Sequence, residues 1–241
     1  MRMCTYVKQV KAAAGMLAAI AVVLTACSTP GAEAPAPTAA HPATAVSAST
    51  APAGAASGQI RLVLASGGNT ARYKIREQLA DLDFPSDAIG ETTAITGLLV
   101  ITGDGQVVKE DSKFTVELKT LQSDKSMRDR FIQRNTLQTG SFPLAEFAPS
   151  EAIGIPSPPP TSGNVAFQLV GDMTVHGVTH TTTWDVTGQV NGQEITGQAS
   201  TVFHFADFGL EIPRVMRVIS VEDSIRLEYD FHLVPESQAG A

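Results

Sequence analysis

The feature that most constrains this chain is strict period-two alternation over long segments. Val221, Asp223, Ile225, Leu227, Tyr229, Phe231 and Leu233 fall on one face, and Glu222, Ser224, Arg226, Glu228, Asp230 and His232 on the other. Successive side chains of a β-strand point to opposite sides, so the segment predicts a long strand with one buried and one solvated face, His232 on the latter. The pattern recurs in Ser112, Phe114, Val116, Leu118 and Thr120, and in Val165, Phe167, Leu169, Met173 and Val175, where Gly171 predicts a bulge. It recurs again in Trp184, Val186 and Val190, which turns the only tryptophan inward. Asp104-Gly105 and Asn191-Gly192 predict type I′ hairpins between antiparallel neighbours. One segment breaks the rule. Ser123 to Asn135 reads as a single short helix, with Ser123 or Asp124 as N-cap and Met127 and Phe131 at i,i+4. Its cations Lys125, Arg128, Arg130 and Arg134 read as a solvated face, with the mouth of an anion site as the sharper alternative.

Residues 59–235 have the length of a single all-β domain, followed by a short tail at 236–241. Many curved antiparallel strands with frequent glycines favour a closed barrel, which leaves no exposed edges; a sandwich stays open on this pattern alone. A barrel of about eight strands either fills with its own side chains or holds one small or elongated ligand.

The first 58 residues read differently. Arg2, Lys8 and Lys11 precede an apolar run from Ala12 to Leu24, too short to span a bilayer, and Leu24-Thr25-Ala26-Cys27 looks like a bacterial lipoprotein cleavage and acylation site. Residues 1–26 are then a removed signal peptide and Cys27 carries the lipid anchor. Residues 27–58 supply the acylated cysteine and a tether of almost only Ala, Pro, Ser, Thr and Gly, a composition that cannot bury a core. The expected location is the cell envelope, extracytoplasmic and anchored to a membrane through acyl chains. Cys4 leaves with the signal, so neither a disulfide nor a cysteine metal site is available. Loss of the signal leaves 14 basic against 24 acidic residues, a net −10 from the formal −7 of the whole chain. Such a charge argues against nucleic acid as a partner.

Several ordered segments resemble one family. Gly171 to Trp184 (GDMTVHGVTHTTTW) is similar to the glycine-aspartate…histidine-glycine-valine-threonine motif of the YceI-like family, with Met173 where leucine is usual and His180 where a basic residue is more typical. Ala71 to Leu79 (ARYKIREQL), Ser126 to Leu137 (SMRDRFIQRNTL), Phe142 to Phe147 (FPLAEF) and Asp207-Phe208-Gly209 follow the family's order. The resemblance implies an eight-stranded antiparallel lipocalin-like β-barrel with one short helix. It also implies an elongated apolar pore that binds a polyisoprenoid lipid such as an isoprenoid quinone. An isoprenoid tail has no hydrogen-bonding groups, so its site needs only dry walls. Phe114, Val116, Leu169, Met173, Trp184, Phe203, Phe205, Leu227, Tyr229 and Phe231 are the residues expected to supply them.

Little in the sequence points to catalysis. His176 and His180 flank Gly177-Val178 and could begin a zinc site, but no third ligand is near in sequence and His204 belongs to another strand. Asp207-Phe208-Gly209 copies a kinase tripeptide without the other kinase motifs. Asp81 with Asp83, and Glu222 with Asp223, sit in polar stretches where solvation is expected. The expectation is a carrier or reservoir, not an enzyme, with no cofactor beyond the bound lipid. The alternative is an envelope interaction module with a filled barrel, presenting loops such as Ala152 to Gly163 to a partner.

Overall fold

The computed structural model describes residues 58–238. The readings of residues 1–26 as signal peptide, Cys27 as acylation site and the segment before Gly58 as tether lie outside the described residues. Eleven strands are β1 (Gln59–Leu64), β2 (Thr70–Leu79), β3 (Ser86–Thr92), β4 (Ile95–Thr102), β5 (Lys113–Glu117), β6 (Gln122–Ser123), β7 (Leu144–Ile153), β8 (Ser162–Val175), β9 (Val178–Asn191), β10 (Glu194–Phe203) and β11 (Val218–Pro235). All pairings are antiparallel, and the order β1-β4-β5-β7-β8-β9-β10-β11 closes on itself through β1–β11. The ring is an eight-stranded barrel.

The three remaining strands are continuations, not additions. β1 and β2 follow each other along one edge of β11, β1 against Leu233–Pro235 and β2 against Val218–Asp230. β4 faces β1, β3 faces β2, and β6 continues β5 along the same edge. The break between β1 and β2 at Ala65–Asn69 leaves backbone groups that the ladder cannot satisfy. Asn69 satisfies them: its Nδ2 donates to Ala65 O at 2.8 Å, and its Oδ1 accepts from His232 N at 2.9 Å. Between β3 and β4 the Thr92 hydroxyl accepts from Ala94 N at 3.0 Å.

The register defines two ends. The helical end carries the β2–β3 turn, the segment 124–143, the β8–β9 turn and the segment 204–217. The terminal end carries Gly58, the segment after β11, the 103–112 and 154–161 loops and the β9–β10 turn. Glu236 belongs to the fold, since Arg61 Nε meets its Oε2 at 2.6 Å.

Several local expectations change. The helix is shorter: Ser123 lies in β6, α1 spans Ser126–Phe131, and a π-helical turn follows at Ile132–Thr136. The N-cap is Lys125, not Ser123 or Asp124, and no side chain caps the helix; the Ser123 hydroxyl instead lies 2.6 Å, and its N–H 2.9 Å, from Asp129 Oδ1. Arg128 is not part of a solvated face. Its side chain is 14% exposed and pairs with Glu77 and with Asp124. Leu118 and Thr120 leave the strand for a 3-10 turn. No bulge occurs at Gly171; the register slips on the opposite strand, between Pro149 and Glu151. Gly171 is there because β7 presses against it: a Cβ would overlap the Ala148 carbonyl and meet Pro149 Cα at 2.7 Å.

Neither expected type I′ turn forms. Asn191 pairs with Glu194, so the central residues are Gly192 and Gln193, and of these only Gly192 has positive φ (+68°). Around Asp104-Gly105, Gly105 N donates to Thr102 O at 2.9 Å and Gly105 has φ +89°, a three-residue loop with a glycine bulge. The two-residue loop with both φ values positive is His176-Gly177 (+53° and +75°), joining β8 to β9. His232 is half-buried rather than on the surface, its Nε2 held by Glu194.

Candidate functional site

A cavity of about 230 Å³ lies inside the barrel. The alternation that builds the strands also builds its wall: in β8, Phe167, Leu169, Met173 and Val175 project inward, and in β11, Ile225, Leu227, Tyr229, Phe231 and Leu233 do so. All ten residues singled out in the sequence border this cavity: Phe114 and Val116 from β5, Leu169 and Met173 from β8, Trp184 from β9, Phe203 from β10, Phe205 just beyond it, and Leu227, Tyr229 and Phe231 from β11. Aromatic contacts bind the wall across strands. Phe114 meets Tyr229 edge-on at 6.2 Å, and Phe147 lies 5.6 Å from Trp184.

Arg72, Glu146 and Glu228 border the cavity, but their charged ends pair with Asp230, Lys113 and Lys74, and the remaining polar atoms of the wall are few and neutral. Trp184 Nε1 donates to the Thr182 hydroxyl at 3.2 Å, which satisfies the indole. Burial pushes the Tyr73 hydroxyl up to about 12, against the pull of Arg128, and raises that of Tyr229 further, so both phenols stay protonated at neutral pH. Tyr229 Oη is buried without a hydrogen-bond partner. Such a wall offers dispersion contacts to an apolar chain.

The sequence reading missed part of this wall. Tyr73 and Ile75 on β2, Ile95 and Leu99 on β4, Phe147 on β7 and Phe167 on β8 also line it. Alternation in ARYKIREQL was the available signal for Tyr73 and Ile75. The closure at the helical end is less visible in sequence: Leu121, Ile132 and Leu137 come from the segment between β5 and β7, and Leu210 and Pro213 from the segment after β10. By contrast, no residue of the 103–112 or 154–161 loops lines the cavity.

The resembling motifs meet at the helical end. Arg128 joins SMRDRFIQRNTL to Glu77 of ARYKIREQL. Phe142 of FPLAEF stacks edge-on against His176 at 4.6 Å, over Gly177, where a Cβ would come within 2.7 Å of its ring. Asp207 caps a 3-10 turn by accepting from His204 N at 2.7 Å, while Phe208 is fully buried and Gly209 closes the turn at φ +62°. His176 packs on Phe142 and His180 on Phe208 at 6.1 Å; among the described residues no group of three potential metal ligands forms. Asp81, Asp83, Glu222 and Asp223 are exposed, and Asp223 Oδ1 accepts from Phe205 N at 3.0 Å.

Comparison with known proteins finds the same fold elsewhere. The YceI-like domain matches residues 68–233, and the chain belongs to that family. Among solved structures it is similar to a polyisoprenoid-binding domain from Saccharophagus degradans, with TM-score 0.54 and 10% identity over 73% of this chain and 99% of that one. It is also similar to BcnA of Burkholderia cenocepacia (TM-score 0.50, 14% identity, 68% of this chain and 95% of that one). The YceI protein of Campylobacter jejuni gives TM-score 0.51 and 14% identity over 66% and 90% of the two chains. No curated protein matches the chain.

Proposed function

We propose that this protein is a membrane-anchored, extracytoplasmic carrier or reservoir that encloses a polyisoprenoid lipid, such as an isoprenoid quinone, in its barrel. The observation that carries the reading is the cavity wall, built of aliphatic and aromatic side chains from β2, β4, β5 and β7 to β11, with the charged ends of the bordering Arg72, Glu146 and Glu228 paired to Asp230, Lys113 and Lys74. A hydrocarbon tail gains from leaving water in proportion to its buried area, and a wall without polar groups costs it nothing in unmet hydrogen bonds. The S. degradans neighbour, described as polyisoprenoid-binding, supports the ligand class. The location rests on the lipoprotein-like pattern that ends at Cys27: acyl chains there would hold the barrel close to the bilayer where such lipids reside. The ten wall residues named from the sequence are then lipid contacts, and no bond is made or broken.

The test is mass spectrometry of lipid extracted from a chain starting at Gly58, purified without detergent. A stoichiometric polyisoprenoid is expected. A barrel that carries none, and takes up none when offered an isoprenoid quinone, would leave the interaction module as the better reading. Leu169→Asp places a carboxylate in the wall and is expected to abolish retention, by loss of binding or of the fold.

A further inference from the structure

We infer that the helical end of the barrel docks onto a lipid bilayer; the inference rests on the carrier reading and names the surface through which the ligand is exchanged. Among the described residues, every large exposed apolar side chain except Ile153 lies in the half of the barrel toward that end. The most exposed are Met216 (95%), Phe84 (80%), Met127 (77%) and Ile219 (68%), joined by Leu82 and Ile212. They come from three separate segments that meet at the rim: the β2–β3 turn, α1, and the segment leading into β11, where Ala80 N donates to Arg217 O at 2.9 Å. An apolar rim assembled from three loops at one end of a barrel is a surface that water alone does not favour.

Three observations select a bilayer over a protein partner. First, two of these three regions also close the cavity from this end, Ile132 and Leu137 just after α1 and Leu210 and Pro213 ahead of β11, so the rim is continuous with the space where the lipid would lie. Second, six cations form no ion pair among the described residues, and all sit at this end: Lys119, Lys125, Arg130, Arg134, Arg214 and Arg217. Exposed Asp81, Asp83, Glu117, Glu211 and Glu222 share the rim, so it is mixed in charge. Apolar side chains interleaved with arginines suit the headgroup boundary, where the apolar part enters and the guanidinium stays with phosphate.

Third, the chain geometry permits the posture. Gly58 leaves from the opposite end, beside Thr102. The 14 residues of β8 give a barrel roughly 35 Å tall at about 3.3 Å per residue and about 40° tilt. A flexible chain as long as Ser28 to Gly58 averages about 30 Å and reaches about 95 Å fully extended, enough to let Cys27 stay in the bilayer while the far end of the barrel faces it.

The experiment uses the full acylated chain in vesicles of phosphatidylethanolamine and phosphatidylglycerol at about 3:1. A thiol-reactive environment-sensitive fluorophore is placed by Met216→Cys at the rim or by Gln106→Cys at the opposite end. The rim label is expected to shift to the blue and be quenched by spin-labelled lipid, while the label at 106 stays solvated. Phe84→Asp with Met127→Asp is expected to cut the fraction of docked rim label about tenfold. Lipid retained by that variant, read by mass spectrometry, is expected to stay as in the parent. Equal behaviour of the two labels overturns the inference. So does a rim shift that grows with protein density and falls on adding unlabelled chain, which marks a second copy as the occupant. A docked rim in a protein that retains no polyisoprenoid would instead fail the carrier reading and leave the docking surface standing.

Discussion

The two ends of the barrel are built on different terms. At the terminal end, loops are tied by exposed pairs such as Arg61–Glu236, side chains half open to water, and none of the long loops reaches the cavity. At the helical end, Arg128 and Glu77 pair at 14% and 9% side-chain exposure, five motif segments interlock, and apolar side chains face both the cavity and the solvent. The buried ion pair therefore lies at the end where a non-ladder segment lines the cavity, and an exposed pair ties the other end. A barrel needs only ladders to close its wall. It needs specific long-range contacts to hold a non-ladder segment across one end.

The largest effect is expected in the wall common to both ends. Gly171→Ala puts a Cβ into the Ala148 carbonyl, a backbone atom that cannot rotate away. About 4 kcal/mol or more should be lost, enough to abolish cooperative unfolding in circular dichroism. Gly67, in the β1–β2 break, meets nothing within 4 Å and lacks positive φ, so Gly67→Ala is expected to be neutral or slightly stabilising. Equal tolerance of both substitutions would show that β7 does not press on β8 as described.

Next in size is the comparison of ion pairs. Arg128→Met leaves the Glu77 carboxylate buried without its partner and should cost about 3 kcal/mol, with loss of lipid retention because the segment lining the cavity detaches. Arg61→Met at the terminal end removes an exposed pair and should cost less than about 1 kcal/mol. Denaturant midpoints of the two variants check this. Similar costs would collapse the distinction between the ends.

A smaller effect comes from pH and is spread over the wall's outer face. The hydrogen bond from Lys74, joined by one from Arg226, holds the Glu228 carboxyl below its ordinary value despite burial. Asp230 is also lowered: burial works against it, but hydrogen bonds from Gln198 and Arg72 prevail. A carboxyl lowered in the folded state contributes stability fully above its unfolded value, about 4, and loses it as pH falls through the lower folded value. Thermal midpoints should therefore be flat from about pH 7 to 5 and fall below about 4, and Lys74→Met should reduce that fall. A fall centred near 6 would instead show that these carboxylates do not set the acid limb.

How much of this was legible follows from the range of each cause. The wall was legible because alternation is local: Phe114, Leu169, Trp184 and Phe231 reach the cavity through strand parity alone. Gly171 was misread because the reason for a glycine there lies on another strand, in the approach of Ala148 and Pro149. The helix is shorter than its sequence pattern because Ser123 is captured by β3 through Gly90, and the segment continues as a π-turn that leads Ile132 and Leu137 onto the cavity. Arg128 looked solvated because its partner Glu77 is 51 residues away. A tight turn at a barrel end is legible around Gly177, but its centre is His176-Gly177 and not Gly177-Val178, and Phe142, which packs over it, is distant in sequence.

The smallest expected effect concerns Tyr229, midway along the wall on β11 opposite Ala71 and Ala199. Its hydroxyl is buried without a partner, while the indole of Trp184 in the same wall is satisfied by Thr182. An unmet hydroxyl costs the fold, so Tyr229→Phe should raise stability by about 1 kcal/mol if that oxygen has no further role. Lipid retention separates the remaining cases. Unchanged retention with the gain in stability means the wall binds by shape and dispersion throughout its length. Reduced retention with the same gain means a polar atom of the ligand reaches the middle of the barrel and uses the hydroxyl, so its headgroup enters ahead of, or folded beside, the tail.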